Sequence, residues 1–352
     1  MNKKNHQALA TGYSLIGIMI ALVVVSIIMM GLTKLYIGSW QNSRYVNRAN
    51  IMTTNADLAL SRISNDISRS GEYGCYNLRT QYYVAPAVSF NTHGLTGSAA
   101  IDPIYAGLRV FSNPNSALAE EPSLGNNGAQ LDAAGQVLKI QYGDGFALAI
   151  PDASMSLVSL TIPSYFVSDG TQLSILSTVN TPDKLDVAAS TINSNYVLSS
   201  CARLDQFKQL ISANSVNVGS LAIPVNTKSK TYHDYPSLGL MNALTEYYYL
   251  ATVAGVQGLY LNQLQANGSY SGPMLLMANV SNFSFDFVVV DPASGNRSVI
   301  APAAMASSDW AKISIVNLNF GYYSSESRIT SNNSAIKVTK QATVALVNHL
   351  AL

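Results

Sequence analysis

The pattern of apolar and polar positions changes twice along this chain of 352 residues. A polar start that carries Lys3 and Lys4 gives way to an apolar run over residues 13–33, which meets no charge until Lys34. This length matches the roughly 20 residues that a helix needs to cross the hydrocarbon core of a bilayer. The first change therefore predicts a transmembrane helix over residues 13–33.

Residues 34–70 keep a helical period but become amphipathic. Apolar side chains share one helical face, namely those of Met52, Ala56, Ala59, Leu60, Ile63 and Ile67. No proline occurs before Pro86, so nothing in this stretch breaks the helix. Arg62 and Asp66 lie one turn apart and are expected on the polar face as a weak ion pair. Gly71 and Gly74 favour a left-handed cap, so the pattern predicts a stalk helix over residues 34–70.

Beyond Tyr82 the pattern alternates with a period of two, which is typical of β-strands. The predicted strands are 107–111, 137–142, 146–150, 157–162, 172–179, 196–202, 245–253, 258–263, 275–276, 283–290, 313–322 and 342–347. Gly143-Asp144-Gly145 predicts a turn, and residues 112–135 predict a long surface loop. A polar connector over 226–240 divides the head into lobes 71–225 and 241–352. The fold class expected is α+β, with a long N-terminal transmembrane and stalk helix before a large β-rich head.

Two explanations of the N-terminus need only the apolar run. A secretory signal peptide would need a small-x-small cleavage site beyond the run, and residues 33–40 supply none. An uncleaved anchor fits the length of the run and the positions of Tyr36 and Trp40, where an aromatic belt would lie. The flanking charges orient such an anchor only weakly, because basic residues occur on both sides of the run.

A third explanation uses Gly12-Tyr13-Ser14-Leu15-Ile16. This sequence resembles the type IV prepilin class, in which a dedicated peptidase cuts after the glycine and methylates the new N-terminus. The resemblance implies a leader over residues 1–12 that ends at Gly12, with Tyr13 as the first, N-methylated residue of the mature chain. Gly17 departs from the class, which normally has a glutamate there to pair with the terminal amine of a neighbouring subunit. A place at the filament tip or simple drift in a minor subunit would each explain that loss.

The order of several weaker landmarks resembles the PilW family of minor pilins. These landmarks are residues 60–67, 70–75, 137–143, 247–249, 258–260, 279–285, Trp310 with 313–320, and 343–348. The resemblance implies a minor pilin that primes assembly of a type IV pilus or sits at its tip, in support of twitching motility, adhesion or DNA uptake. Val347-Asn348-His349 departs from the family, which often has arginine near this end.

The resemblance also implies a location and a set of partners. It places the chain as a single-pass protein of the bacterial inner membrane with a periplasmic head, later assembled into the extracellular pilus. The implied partners are other minor pilins, the major pilin, a large tip adhesin, the prepilin peptidase and inner-membrane lipid. Two alternatives stay open: a tip pseudopilin of a type II secretion system, and a membrane-anchored extracytoplasmic binding protein that does not polymerise.

The chain has two cysteines, Cys75 and Cys201. In a body held outside the cytoplasm, two widely spaced cysteines are more naturally a disulfide than a metal site, which would need two further ligands nearby. Such a bond would tie the end of the stalk to the middle of the head. Two buried free thiols are the alternative.

Composition argues against nucleic-acid binding, and the motifs argue against catalysis. Only 11% of residues are charged. Without Lys3 and Lys4 the mature chain has 20 − 2 = 18 basic and 19 acidic side chains, and this balance is too even to recruit nucleic acid. None of the four histidines lies in a recognisable metal or nucleophile motif, and His233 beside Asp234 is best explained as part of an exposed loop. The sequence therefore predicts no enzymatic activity, no cofactor and no metal.

Overall fold

A computed structural model describes residues 15–74, 76–79, 90–91, 100–150, 154–155, 160–161, 166–168, 172–175, 184–186, 192–199, 204–211, 238–264, 270–323 and 337–346. A long apolar helix occupies the N-terminal part, and most of the remaining elements are strands, so the predicted α+β class is confirmed. The chain divides into two compact units, residues 1–55 and 56–352.

Helix α1 covers Leu15–Arg69 without a break. It stops where the sequence predicts, because Gly71 and Gly74 take left-handed backbone angles with φ of 79° and 65°. The predicted apolar stripe is buried over its last turns, at Ala56, Ala59, Leu60, Ile63 and Ile67. The prediction for Asp66 is wrong, since this carboxylate is buried with the stripe instead of lying on the polar face.

The described residues after α1 include twenty strands and a short helix. The strands are β1 Glu72–Tyr73, β2 Tyr76–Asn77, β3 Phe90–Asn91, β4 Leu108–Phe111, β5 Gln130–Leu131, β6 Val137–Ile150, β7 Ser154–Met155, β8 Leu160–Thr161, β9 Phe166–Ser168, β10 Gln172–Ile175, β11 Lys184–Asp186, β12 Ile192–Ser199, β13 Leu204–Ile211, β14 Leu238–Val253, β15 Val256–Gln263, β16 Met274–Ala278, β17 Val280–Val290, β18 Arg297–Ile300, β19 Ile313–Tyr323 and β20 Lys337–Ala345. Helix α2 covers Pro114–Glu120.

A nine-stranded sheet is built around β14. Along the path β16-β15-β14-β12-β13-β3, every pairing is antiparallel except that between β13 and β3. One edge of β14 pairs with β15 and β12, and its other edge pairs with β6 and β5. Strand β6 also pairs with β4. Strand β14 therefore joins segments that lie far apart in the sequence.

A four-stranded antiparallel sheet has the order β18-β17-β19-β20. Burial alternates along β17, where Phe283, Phe285 and Phe287 point into the core, as the period-two pattern predicts. Trp310 packs edge-on against Phe287, with 5.4 Å between the ring centroids, and against Tyr105, with 5.5 Å. Because Tyr105 precedes β4, this indole connects the small sheet to the segment that leads into the large one.

The predicted turn at Gly143-Asp144-Gly145 is wrong, because β6 runs through these residues. Its register with β14 shifts between Leu240 and Asn242, which face this part of β6. A Cβ atom at Gly143 would collide with the sulfur of Met241, so this glycine permits a close approach within a strand.

The predicted loop over 112–135 is also wrong in part. Helix α2 lies there, with Asn113 as its N-cap and Pro114 in its first turn, and a 3-10 helix over Pro122–Gly128 follows. Proline in the first turn is a helix-start signal, because its missing N–H is not needed there. In the predicted connector, residues 238–240 belong to β14 and 226–237 lie outside the described residues. The division into two lobes stays a prediction, while the large sheet joins strands from both sides of it.

Candidate functional site

The first part of α1 exposes its apolar side chains. Every Leu, Ile, Val and Met side chain from Leu15 to Leu32 is between 49% and 75% exposed. Among the described residues, α1 is the one helix long and apolar enough to cross a membrane, and its most apolar stretch buries nothing within the chain. Such a surface is unfavourable in water, at about 25 cal/mol per Å², so this part of the helix could anchor the chain in a membrane.

Two hydroxyl groups within or beside this apolar stretch have partners in the helix itself. Ser26 and Thr33 each donate a 2.7 Å hydrogen bond to the carbonyl oxygen four residues earlier, Leu22 and Met29 respectively. Polar groups in lipid need such internal partners, because the hydrocarbon layer offers no water. The exposed surface is therefore compatible with hydrocarbon despite these hydroxyls.

Gly17 lies inside α1, with nothing within 4 Å of the position that a Cβ atom would take. The fold of the single chain thus leaves room for a larger side chain at this position. Packing against the described residues therefore does not require glycine here.

The end of α1 meets β14 through a buried polar cluster. The Tyr248 hydroxyl donates a hydrogen bond to Asp66 Oδ2, and it also lies 3.1 Å from Glu246 Oε2. Arg62 approaches both carboxylates, at 3.8 Å from Asp66 Oδ2 and 3.7 Å from Glu246 Oε1. The two carboxyl groups are almost fully buried, while the Arg62 side chain is 42% exposed. We call these four residues the junction cluster.

The pKa of Glu246 is raised to about 7, mainly by burial and to a smaller extent by the neighbouring charge of Asp66. The half-exposed Arg62 and the hydrogen bond from Tyr248 act in the opposite direction. Near neutral pH, Glu246 therefore carries a proton for a large part of the time. A protonated Glu246 can donate to Asp66, whereas an ionised one leaves two buried carboxylates facing each other.

Local periodicity explains how these residues meet. Arg62 and Asp66 lie four apart on a helix, and Glu246 and Tyr248 lie two apart on a strand, so each pair shares a face. The intervening Tyr247 belongs to the opposite face of the sheet, where it packs with Tyr249. The sequence analysis did not predict this cluster, because it used residues 247–249 only as a point of resemblance to the PilW family. The available signal was a glutamate directly before three aromatic residues in a predicted strand.

The opposite face of the sheet has its own charged group, which is fully paired. Glu120 accepts hydrogen bonds from Lys139 at 2.5 Å and from Arg109 at 2.6 Å, and the Tyr247 hydroxyl lies 3.3 Å away. The Arg109 guanidinium also stacks on the ring of Phe111 at 4.2 Å. Burial lowers the pKa of Lys139, and the charge of Glu120 opposes that effect. These contacts tie α2 to the sheet.

The other residues singled out in the sequence are not part of either cluster. Gly12, Tyr13, Cys75 and Cys201 lie outside the described residues, so the cleavage site, the methylation and the disulfide stay predictions. In the part of the chain that the structure describes, no three His, Cys, Asp or Glu side chains come together in a way that could hold a metal ion.

Comparison with family models, curated proteins and solved structures finds no match to this chain. The function is therefore argued from the geometry and from the N-terminal sequence.

Proposed function

We propose that this chain is a minor pilin of a type IV pilus, similar to the PilW family, that primes assembly or lies at the pilus tip. The observation that carries the proposal is the two-part helix α1. Its first part exposes an unbroken apolar surface, and its last turns are buried with a β-rich body. The Gly12-Tyr13 sequence just before this helix supports the same class.

In the proposed mechanism, packing does the work and no catalysis is involved. The apolar part of α1 keeps the subunit in the inner membrane until assembly. In the filament, apolar faces of neighbouring stalk helices take the place of lipid. Lipid tails and apolar side chains are about equally apolar, so this exchange has a small hydrophobic cost and depends on close packing. The head presents its sheet edges and loops to sibling pilins and to an adhesin.

The junction cluster supports a role for the last turns of α1 as a fixed part of the head. Buried, hydrogen-bonded carboxyl groups fix one arrangement of helix and strand, because any displacement would leave them without partners. At the other end of the helix, Gly17 lacks the carboxylate that would pair with a neighbour's terminal amine. A tip subunit has no neighbour on one side, so this absence suits the proposed tip position.

The experiment that tests the proposal is mass spectrometry of the N-terminal peptide from native membranes, in cells with and without the prepilin peptidase. We expect a peptide that begins with methylated Tyr13 only when the peptidase is present. A Gly12→Ala variant should keep its leader, while Gly17→Ala, which has open space around it, should still be cut. An intact Met1 leader in wild-type cells would contradict the proposal and favour the anchored binding protein.

Sheared surface filaments separate the remaining possibilities. A minor pilin should be found in them, and its deletion should reduce piliation. If the deletion leaves pili intact and instead blocks release of secreted proteins, the chain belongs to a type II secretion system.

A further inference from the structure

The charges along the first part of α1 are all of one sign. Between Leu15 and Ala56 the sequence has three basic residues, Lys34, Arg44 and Arg48, and no acidic residue. The first carboxylate of the helix is Asp57, whose Oδ1 lies 2.5 Å from Lys340 Nζ. This basic stretch begins directly after the apolar run that could span a membrane.

Aromatic residues occupy the same stretch. Tyr36, Trp40 and Arg44 follow one another at four-residue intervals, which places them along one side of the helix. The rings are well exposed, at 73% for Tyr36 and 52% for Trp40. The Arg44 guanidinium lies over the Trp40 ring, 4.7 Å from its centroid. Arg44 therefore reaches back one turn toward the apolar run, in the direction that helical side chains generally take.

The spacing suits the lipid headgroup layer. Residues 15–33 extend over about 28 Å at a rise of about 1.5 Å per residue, close to the thickness of the hydrocarbon core. Lys34 then lies at the edge of the core, and the backbone of Trp40 lies about 10 Å beyond Thr33 if the helix is upright. Because helical side chains point back toward the N-terminus, the Trp40 ring and the Arg44 guanidinium over it lie closer to the core than the Trp40 backbone does. This brings them to the outer side of the headgroup layer, which adds about 5–7 Å to each side of the core.

We propose that Lys34, Tyr36, Trp40 and Arg44 form a binding site for the headgroups of anionic phospholipids where α1 leaves the membrane. The inference rests on membrane insertion of α1, which is part of the proposed function. Guanidinium groups bind phosphate through two parallel hydrogen bonds, and interfacial tryptophan and tyrosine side chains fix the depth of a helix. The site would hold the helix at one depth until it enters a filament.

Native mass spectrometry of the full chain, released from nanodiscs that mix phosphatidylcholine with phosphatidylglycerol, tests the site. We expect retained phosphatidylglycerol in excess of its share of the mixture, with an enrichment of about fivefold for each basic side chain involved. The variant Lys34→Gln with Arg44→Gln should retain the two lipids in proportion to the mixture. A control with the same loss of charge, Arg297→Gln with Lys337→Gln on exposed positions of the head, should keep the enrichment.

Equal retention of both lipids by the wild-type chain would overturn the inference and leave the proposed function intact. So would a loss of enrichment in the head control, because net charge alone would then explain the result. If the Lys34 and Arg44 substitutions leave lipid retention unchanged but abolish cross-linking to a sibling pilin, the basic stretch serves an acidic protein surface instead. If alkaline carbonate extracts the chain from membranes, α1 is not inserted in the bilayer. Both the proposed function and the lipid site would then be wrong.

Discussion

The junction cluster makes the stability of the head depend on pH in a direction opposite to that of most paired carboxylates. Because burial and Asp66 raise the pKa of Glu246 from 4.5 to about 7, the folded state binds a proton that the unfolded state releases within this range. The free energy of unfolding should therefore be highest below about pH 4.5, as far as this group is concerned, and fall as the pH rises to about 7. A rise in pKa of this size is worth about 3 kcal/mol.

The assay is urea denaturation of the full chain in detergent between pH 5 and pH 8, followed by fluorescence of the buried Trp310. The variant Glu246→Gln imitates the protonated carboxyl, so its free energy of unfolding should decrease much less as the pH rises. Glu72→Gln removes an exposed carboxyl of the same type and should keep the wild-type slope. The reasoning is refuted if the wild-type stability is flat or rises across this range, or if Glu246→Gln retains the full slope.

Two further comparisons use matched pairs of residues. Tyr248→Phe removes the hydroxyl that binds the buried Asp66, so it should lower the free energy of unfolding by about 1–3 kcal/mol. Tyr249→Phe removes a hydroxyl with no partner among the described residues. Urea titrations should show that this second change alters the free energy of unfolding by less than about 0.5 kcal/mol. Gly107→Ala should lower the thermal midpoint by far more than Gly128→Ala: both glycines have positive φ, but a Cβ atom at Gly107 would collide with backbone atoms while the space at Gly128 is open. Equal effects within either pair would contradict the geometry.

Several features of this protein follow from short stretches of sequence alone. The apolar run, the stripe from Ala56 to Ile67 and the stop at Gly71 each depend on residues within a few turns of one another. Helix periodicity, bilayer thickness and the left-handed preference of glycine act locally, so these elements could be predicted. The alternating burial of β17 follows for the same reason.

The tertiary structure alone decided the features that depend on distant partners. Asp66 is polar and lies one turn from Arg62, which locally favours an exposed ion pair. Its carboxylate is buried instead, because it accepts a hydrogen bond from Tyr248, which is 182 residues away in the sequence. Gly143 lies in a sequence typical of a turn, but its pairing with Ala243 of β14 makes it part of a strand. The alternation of β14 sends Tyr248 to one face and its two tyrosine neighbours to the other. Which face receives the helix depends on long-range pairing, and no local pattern contains that choice.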